Sequence, residues 1–225
     1  MDPSDFNVKE EVHFLKTGFD RCFQEDDSWT LRKKCHGTVV YSAESPHFAG
    51  WMLKGETMVE FSPEKVYDLV HPTAEYRLQW DEHVESCEFL QDLAPGVILV
   101  HQRMKPLLMG LISARDTVDI IVQEEHDQHY QIMLSSVPCR KVPPQPKYVR
   151  AISYPSGMAI YRTRNPDEAK IACIIQANLH LRRTPRYIID NAMVTMMFNY
   201  LTSLQKCKDL PWTPLQNPAG RVAKN

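Results

Sequence analysis

The stretch KIACIIQANLHLRRTPRYIIDNAMVTMMFNYLTSLQKC, residues 170–207, holds a strand and a long helix back to back. Ile171, Cys173, Ile175, Ala177, Leu179 and Leu181 alternate with Ala172, Ile174, Gln176, Asn178 and His180, which predicts a strand over 170–181 with one apolar face and one that turns polar along its length. Thr184 and Pro185 then suit a helix cap and first turn, and Asp190 lies close enough to the amino end to favour the helix dipole. The helix is expected over 185–207, about 35 Å at 1.5 Å per residue. Ile188, Ile189, Ala192, Met193, Met196, Met197, Tyr200, Leu201 and Leu204 form a broad apolar band, with Val194 and Phe198 outside its narrowest stripe. Such a helix suits either a tightly packed core or a methionine-bearing lid over a curved sheet, with room for an apolar ligand.

The rest of the chain fits one domain built around that pair. Its 225 residues are 43% hydrophobic with a formal net charge of −2, enough for one sizeable core. Basic residues are scattered, with only short clusters such as Arg32-Lys33-Lys34, so nucleic acid is not an expected partner. The first residues, MDPSDFNVKEEV, lack the layout of a signal peptide, and no apolar run is long enough to span a bilayer. The six widely spaced cysteines therefore read as reduced thiols of a cytoplasmic protein.

Residues 5–22 predict an amino-terminal helix, and Ser62 caps a second that starts at Pro63 and ends at His71-Pro72. Extended runs lie near 38–42, 51–60, 83–90, 96–104, 115–123, 129–137, 147–154 and 158–164, besides the last one. Short turns such as Pro95-Gly96 and Asn165-Pro166-Asp167 favour an antiparallel meander over βαβ units.

Short catalytic signatures are missing: there is no GxGxxG, Walker loop, nucleophile elbow, HExxH or CxxC. No catalytic residue, metal or cofactor is assigned. Arg115 and Asp116 are neighbours on a strand and so point to opposite faces. Arg115 is the stronger ligand candidate, because a guanidinium binds carboxylate, phosphate or hydroxyl groups; a structural ion pair is the alternative. Gln102, Gln176 and Asn178 offer neutral hydrogen bonds within a pocket, or satisfy backbone and water. Residues 103–113, RMKPLLMGLIS, are unusually apolar for a connection, as befits a loop over a ligand entrance or one buried in the core.

In order along the chain stand Trp80-Asp81, Ile112-Ser113-Ala114-Arg115-Asp116-Thr117-Val118-Asp119, Tyr148-Val149-Arg150-Ala151, Tyr154-Pro155-Ser156-Gly157 and Pro185-Arg186-Tyr187-Ile188-Ile189-Asp190. This pattern, over roughly residues 20–208, resembles the START family of lipid-transfer domains, with its WD, SPRDFVD-like, YVRG and HPCG-like segments and proline-led last helix. The resemblance implies an α/β helix-grip fold: a curved nine-stranded antiparallel sheet around a long C-terminal helix, with an N-terminal helix. It implies a single domain over 1–210, a flexible polar tail over 211–225, and one lipid in an enclosed tunnel. The match looks closest to the small single-domain cytosolic branch, which includes sterol and bile-acid binders. Ligand contacts are expected at Trp80, Gln102, Met104, Arg115, Leu134, Gln176, Asn178, Ile189, Met193, Met196, Met197 and Tyr200, and a gate at Leu107, Leu108, Met109 and Ile112. Sterol-transporting relatives place an acid and an arginine where this chain has Gln102 and Ile121, so neutral groups and water, or Arg115, are left to meet the headgroup. The expected partner is a sterol, bile acid or other hydrophobic lipid, carried by a monomer in transient contact with membranes. Phospholipid carriage, an enzyme on a helix-grip cavity and a protein-interaction domain are the alternatives.

Overall fold

The computed structural model describes residues 6–24, 28–107, 110–181 and 186–215, the last stretch without the side chains of 186–188. Helix α1 (Val8–Arg21) starts at Asn7, whose side chain accepts from the Lys9 N–H at 3.1 Å. Strands β1 (Thr30–Cys35), β2 (Thr38–Glu44) and β3 (Trp51–Val59) follow. Ser62 caps α2 (Pro63–Val70), with Pro63 in its first turn, as the sequence predicts. After the four-residue α3 (Arg77–Trp80) come β4 (Val84–Ala94), β5 (Val97–Met104), β6 (Arg115–Glu125) and β7 (His129–Ser136). The chain continues through β8 (Val149–Arg150), β9 (Ile152–Ser153), β10 (Ser156–Arg162), β11 (Ala169–Ile175) and β12 (Ala177–Asn178) to α4 (Arg186–Gln205).

Nine antiparallel strands, in the order β1-β2-β3-β11-β10-β7-β6-β5-β4, make the curved sheet; β8 adds a short parallel pairing to β6, and β9 pairs with β12 separately. On one face α1 lays Leu15 and Phe19 into a core with Leu99, Val118, Ile120, Met133 and Ile174. On the other, Val194, Met197, Leu201 and Leu204 of α4 pack with Leu53, Ile121, Ile171 and Cys173. This is the helix-grip fold. Gly55 of β3 allows the close approach of α4: a Cβ there would lie 2.6 Å from Leu201 Cδ1 and 3.0 Å from Met197 Sδ.

Several expectations need correction. Strand β1 has no buried residue, so its polar sequence TLRKKC gives no apolar alternation to read. The run over 147–154 is split between β8 and β9, which pair with different strands. The strand over 170–181 stops at Ile175 and resumes for two residues beyond Gln176. Gln176 is buried, so its polar groups are matched one by one: its N–H donates to Ser156 Oγ at 2.8 Å and its Nε2 to Pro155 O at 2.9 Å. Val194, placed outside the narrow stripe of α4, is a core residue at 6% exposure, since the helix meets the sheet along 194, 197, 201 and 204. Arg103 and Met104, which the expected run over 96–104 and the expected loop over 103–113 both claim, belong to the strand and end β5. All six cysteines are free.

The short turn that follows α4, Lys206–Asp209, is tied down. Lys65 Nζ donates to Lys208 O at 2.7 Å and Leu210 O at 3.0 Å. Residues 211–215, read as the start of a tail, lie against α2 and α3: Trp212 Nε1 and Leu215 N both donate to Asp68 Oδ2, at 3.0 and 3.1 Å.

Candidate functional site

Between the concave face of the sheet and α4 lies a cavity of about 210 Å³ with a predominantly apolar wall. Met193, Met196, Met197 and Tyr200 form its helical side; Leu53, Ile132, Leu134, Met158 and Cys173 contribute from the sheet. The inward row of β6 reads Arg115, Thr117, Asp119, Ile121, because alternate residues share a face. The first three line the cavity and Ile121 joins the core cluster beneath it.

Arg115 and Asp116 thereby receive opposite roles. Arg115 faces the cavity wall at 5% exposure, and burial lowers its pKa from the ordinary arginine value. Its Nε and Nη2 donate to Leu179 O at 3.3 and 3.1 Å, and its Nη1 to Ser113 O and, at 2.7 Å, to Ser113 Oγ. The guanidinium thus joins the loop before β6 to the segment that leads into α4. Asp116, on the other face, accepts from Arg150 Nε and Nη2 at 3.0 and 2.9 Å and sits 2.8 Å from His101 Nε2. Burial pushes its carboxyl up, but Arg150 and His101 outweigh that and hold it below the usual range.

The polar point inside the cavity is Asp119, which sequence reasoning did not single out. It is fully buried; Oδ2 accepts from Thr117 Oγ1 at 2.6 Å and from Gln102 Nε2 at 3.0 Å, and Oδ1 from Ser136 Oγ at 2.7 Å. Burial raises its pKa above the usual carboxylate value against the lowering effect of these bonds. A second polar corner holds Arg77, whose Nε donates to Asp81 Oδ2 at 2.8 Å and whose Nη1 donates to Val70 O at 3.1 Å. Burial works to lower Arg77, yet Tyr200, Asp81 and Cys87 together raise it, so the guanidinium stays charged. Burial also pushes the Cys87 and Cys173 thiols up to about 12, leaving both neutral, Cys173 as apolar wall and Cys87 packed against the core behind it.

Of the predicted contacts, Gln102, Met104, Arg115, Leu134, Gln176, Met193, Met196, Met197 and Tyr200 line the cavity. Trp80 does not: its ring packs 5.2 Å from that of Tyr200 and its Nε1 donates to Leu69 O at 2.9 Å, so it backs the wall. Asn178 is turned to a local bond, its Oδ1 accepting from His180 N at 3.0 Å, and Ile189 is also outside the lining. Among the gate residues Leu107 lines the cavity and bridges antiparallel to Ile112, which is itself buried outside the lining. Leu108 and Met109 lie outside the described residues. No group of three or more His, Cys, Asp and Glu among the described residues is arranged to hold a metal ion. No helix among them is long and apolar enough to cross a membrane.

A curved sheet and one long helix closed on an apolar space define a lipid-binding domain. The START domain family model matches residues 19–211. The chain therefore belongs to the START family, and its general function is lipid binding and transfer. It is 29% identical to bovine StAR-related lipid transfer protein 5 over 186 residues, 81% of this chain and 87% of that one. It is 24% identical to human StAR-related lipid transfer protein 6 over 180 residues, 79% and 81% of the two chains. In structure it matches human StAR-related lipid transfer protein 5 with a TM-score of 0.83 at 22% identity, covering 88% of this chain and 94% of that chain. Human STARD10 follows at 0.76 and 20%, covering 91% and 82%.

Proposed function

We propose that the chain is a non-enzymatic, monomeric cytoplasmic carrier of one compact hydrophobic lipid, a sterol, bile acid or related molecule, as in the small single-domain branch of the family. The observation that carries this reading is the cavity itself, walled by aliphatic side chains and three methionines of α4. Each methylene group moved from water into it is worth about 0.8 kcal/mol, so no covalent step is needed to retain a cargo. The cavity, about 210 Å³, falls below the roughly 300–1,000 Å³ of typical ligand pockets, so its wall must widen on loading, by less for a compact skeleton than for two acyl chains. A phospholipid would also need a partner for its phosphate. Arg115 is the obvious cation, but its guanidinium is already committed to Leu179 and Ser113.

Loading and release require an opening at a membrane. The turn after α4 is held through Lys65 and the following segment through Asp68, so this reading assigns the opening to the amino-terminal half of the helix and the loop around Leu107–Ile112. The exposed Leu111 would meet the bilayer during opening, and Leu108 and Met109, apolar by sequence, are proposed to share that contact. Native mass spectrometry of gently purified protein, paired with analysis of its organic extract, tests the cargo class. One retained sterol-like mass supports the proposal; a phosphorus-containing extract favours the phospholipid alternative. Failure to bind any member of a sterol, bile-acid and phospholipid panel overturns the carrier reading.

A further inference from the structure

We infer that Asp119 is a specificity-determining residue that selects a lipid whose innermost polar group is an uncharged hydroxyl and rejects one whose innermost group is a carboxylate. The inference rests on the lipid-carrier reading and narrows it to a substrate class. Asp119 lines the cavity with no exposure to solvent, and neutral hydrogen-bond donors converge on it: Thr117, Gln102 and Ser136, with Ser153 beside them. Among the described residues no lysine, arginine or histidine lies within ion-pair distance of it.

The arginines of the same wall are occupied elsewhere. Arg77 is paired with Asp81, Arg103 with Glu88 at 3.1 Å, and Arg115 with carbonyls and a hydroxyl. Arg115 is four residues away along the strand, about 13 Å at the usual rise, and cannot neutralise it. The other titratable groups of the lining are Asp81, His83, Lys105, Cys173 and Tyr200, none of them ion-paired with Asp119; Cys173 and the neighbouring Cys87 are held neutral by burial. Thr117 and Ser136 each bring only a hydroxyl, and Gln102 a neutral amide.

An incoming hydroxyl is served by Asp119 in either protonation state. It donates to the carboxylate or accepts from the carboxylic acid. An incoming carboxylate is served by neither. Against the ionised form it meets a like charge in a dry site, and against the acid it is itself a buried charge with no cation. The raised pKa of Asp119 agrees with this setting, where burial opposes the charge. Gln102 adds the complementary point: an amide beside Asp119 tolerates either state, whereas a second carboxyl there would add to the repulsion.

The test uses two compounds with one steroid skeleton and one polar group each, 5β-cholan-24-ol and 5β-cholanate. Their affinities at pH 7.4 are measured by displacement of a fluorescent 3β-hydroxysterol from the full-length wild type, Asp119→Asn and Gln102→Glu. An apolar cavity alone already favours the alcohol, so the readout is the change in the alcohol-to-carboxylate ratio. Asp119→Asn is expected to narrow that ratio at least fivefold and Gln102→Glu to widen it. Smaller or opposite changes overturn the inference, and Gln102→Glu decides alone if Asp119→Asn does not fold. Failure of the wild type to bind the reporter and both compounds overturns the carrier reading, and the inference with it; binding with unchanged ratios overturns the inference alone.

Discussion

Replacing Arg115 by methionine should loosen the entrance while leaving the sheet intact. Arg115 sends two N–H groups to the single carbonyl of Leu179 and two bonds to Ser113 within its own loop, so only the Leu179 link crosses between elements. Two donors on one carbonyl count as about one charge-assisted bond, roughly 1.5–3 kcal/mol. Losing it from the closed state alone multiplies the opening equilibrium by about 10 to 150. Burial of the guanidinium opposes the bond, as its lowered pKa indicates, so the lower end of that span is expected. Methionine keeps an unbranched apolar stem in the cavity wall and leaves the half-buried Leu179 carbonyl to water. Hydrogen exchange read by mass spectrometry should rise about tenfold in peptides covering 110–114 and 177–181, and vesicle-to-vesicle transfer of a bound sterol should quicken if opening limits it. Exchange that is unchanged there, or that rises equally in β10 and β11, refutes the idea that this side chain latches the loop to the approach to α4.

Gly55→Ala forces a methyl group into Leu201 and Met197, overpacking worth about 1–3 kcal/mol against some 0.5–1 kcal/mol gained by removing glycine from a strand; calorimetry should find Tm lower by about 2–4 °C. A Tm equal to or above that of the wild type would place α4 farther from β3. Asp68→Ala removes the acceptor of Trp212 and Leu215, so tryptophan emission should move to the red and chymotrypsin should cut after Trp212 more readily than in the wild type. Asp116 has a folded pKa below its unfolded value near 3.9, so its contribution is present above that pH and lost as pH falls through the folded value. Asp116→Asn should therefore lower the urea midpoint at pH 7, and the gap should close below about pH 4. Asp119 has the reverse sign: its folded pKa is raised, so its contribution is full below about pH 3.9 and fades as pH rises through the folded value, and the relative stability of Asp119→Asn should improve towards neutral pH. A constant gap for both variants would contradict these assignments.

The elements legible in the sequence are those with a local signal. Ser62-Pro63 announced α2, the alternation from Ile171 announced β11, and the broad apolar band announced α4. Opposite placement of Arg115 and Asp116 followed from strand geometry alone. What stayed hidden depends on tertiary neighbours. Strand β1 is held by its pairing with β2 and buries nothing, and the break at Gln176 exists because Pro155 and Ser156 offer partners there. Arg77 could not be read as a wall residue, because α3 is four residues long and its acid, Asp81, also had a loop to bind. For Asp119 a signal did exist. Arg115, Thr117 and Asp119 share one face of β6, while the other face follows Asp116 with the apolar Val118, Ile120 and Val122. Three polar residues in a row inside a buried strand ask for a lined space rather than a packed layer.

That row also explains why a polar feature can persist in the middle of a core. In a core packed on both sides, a fully buried carboxyl with no cation is at best neutral relative to an apolar residue of similar volume, because desolvation opposes its charge. Asp119 is retained with donors arriving from three strands, Gln102 on β5, Thr117 beside it on β6 and Ser136 on β7. Ser136 is itself tied to β9 through the Ser153 N–H at 2.8 Å. The cluster therefore fixes where one polar atom faces the cavity, at a depth between Arg115 towards the entrance and Ile121 towards the core. A cargo with a long apolar body and one small polar end would be oriented by this point and held by the methionines along the rest of its length. Orientation by one buried polar contact and retention by apolar area leave release to the opening of the wall, so substitutions at Arg115 and at Asp119 are expected to separate release from selectivity.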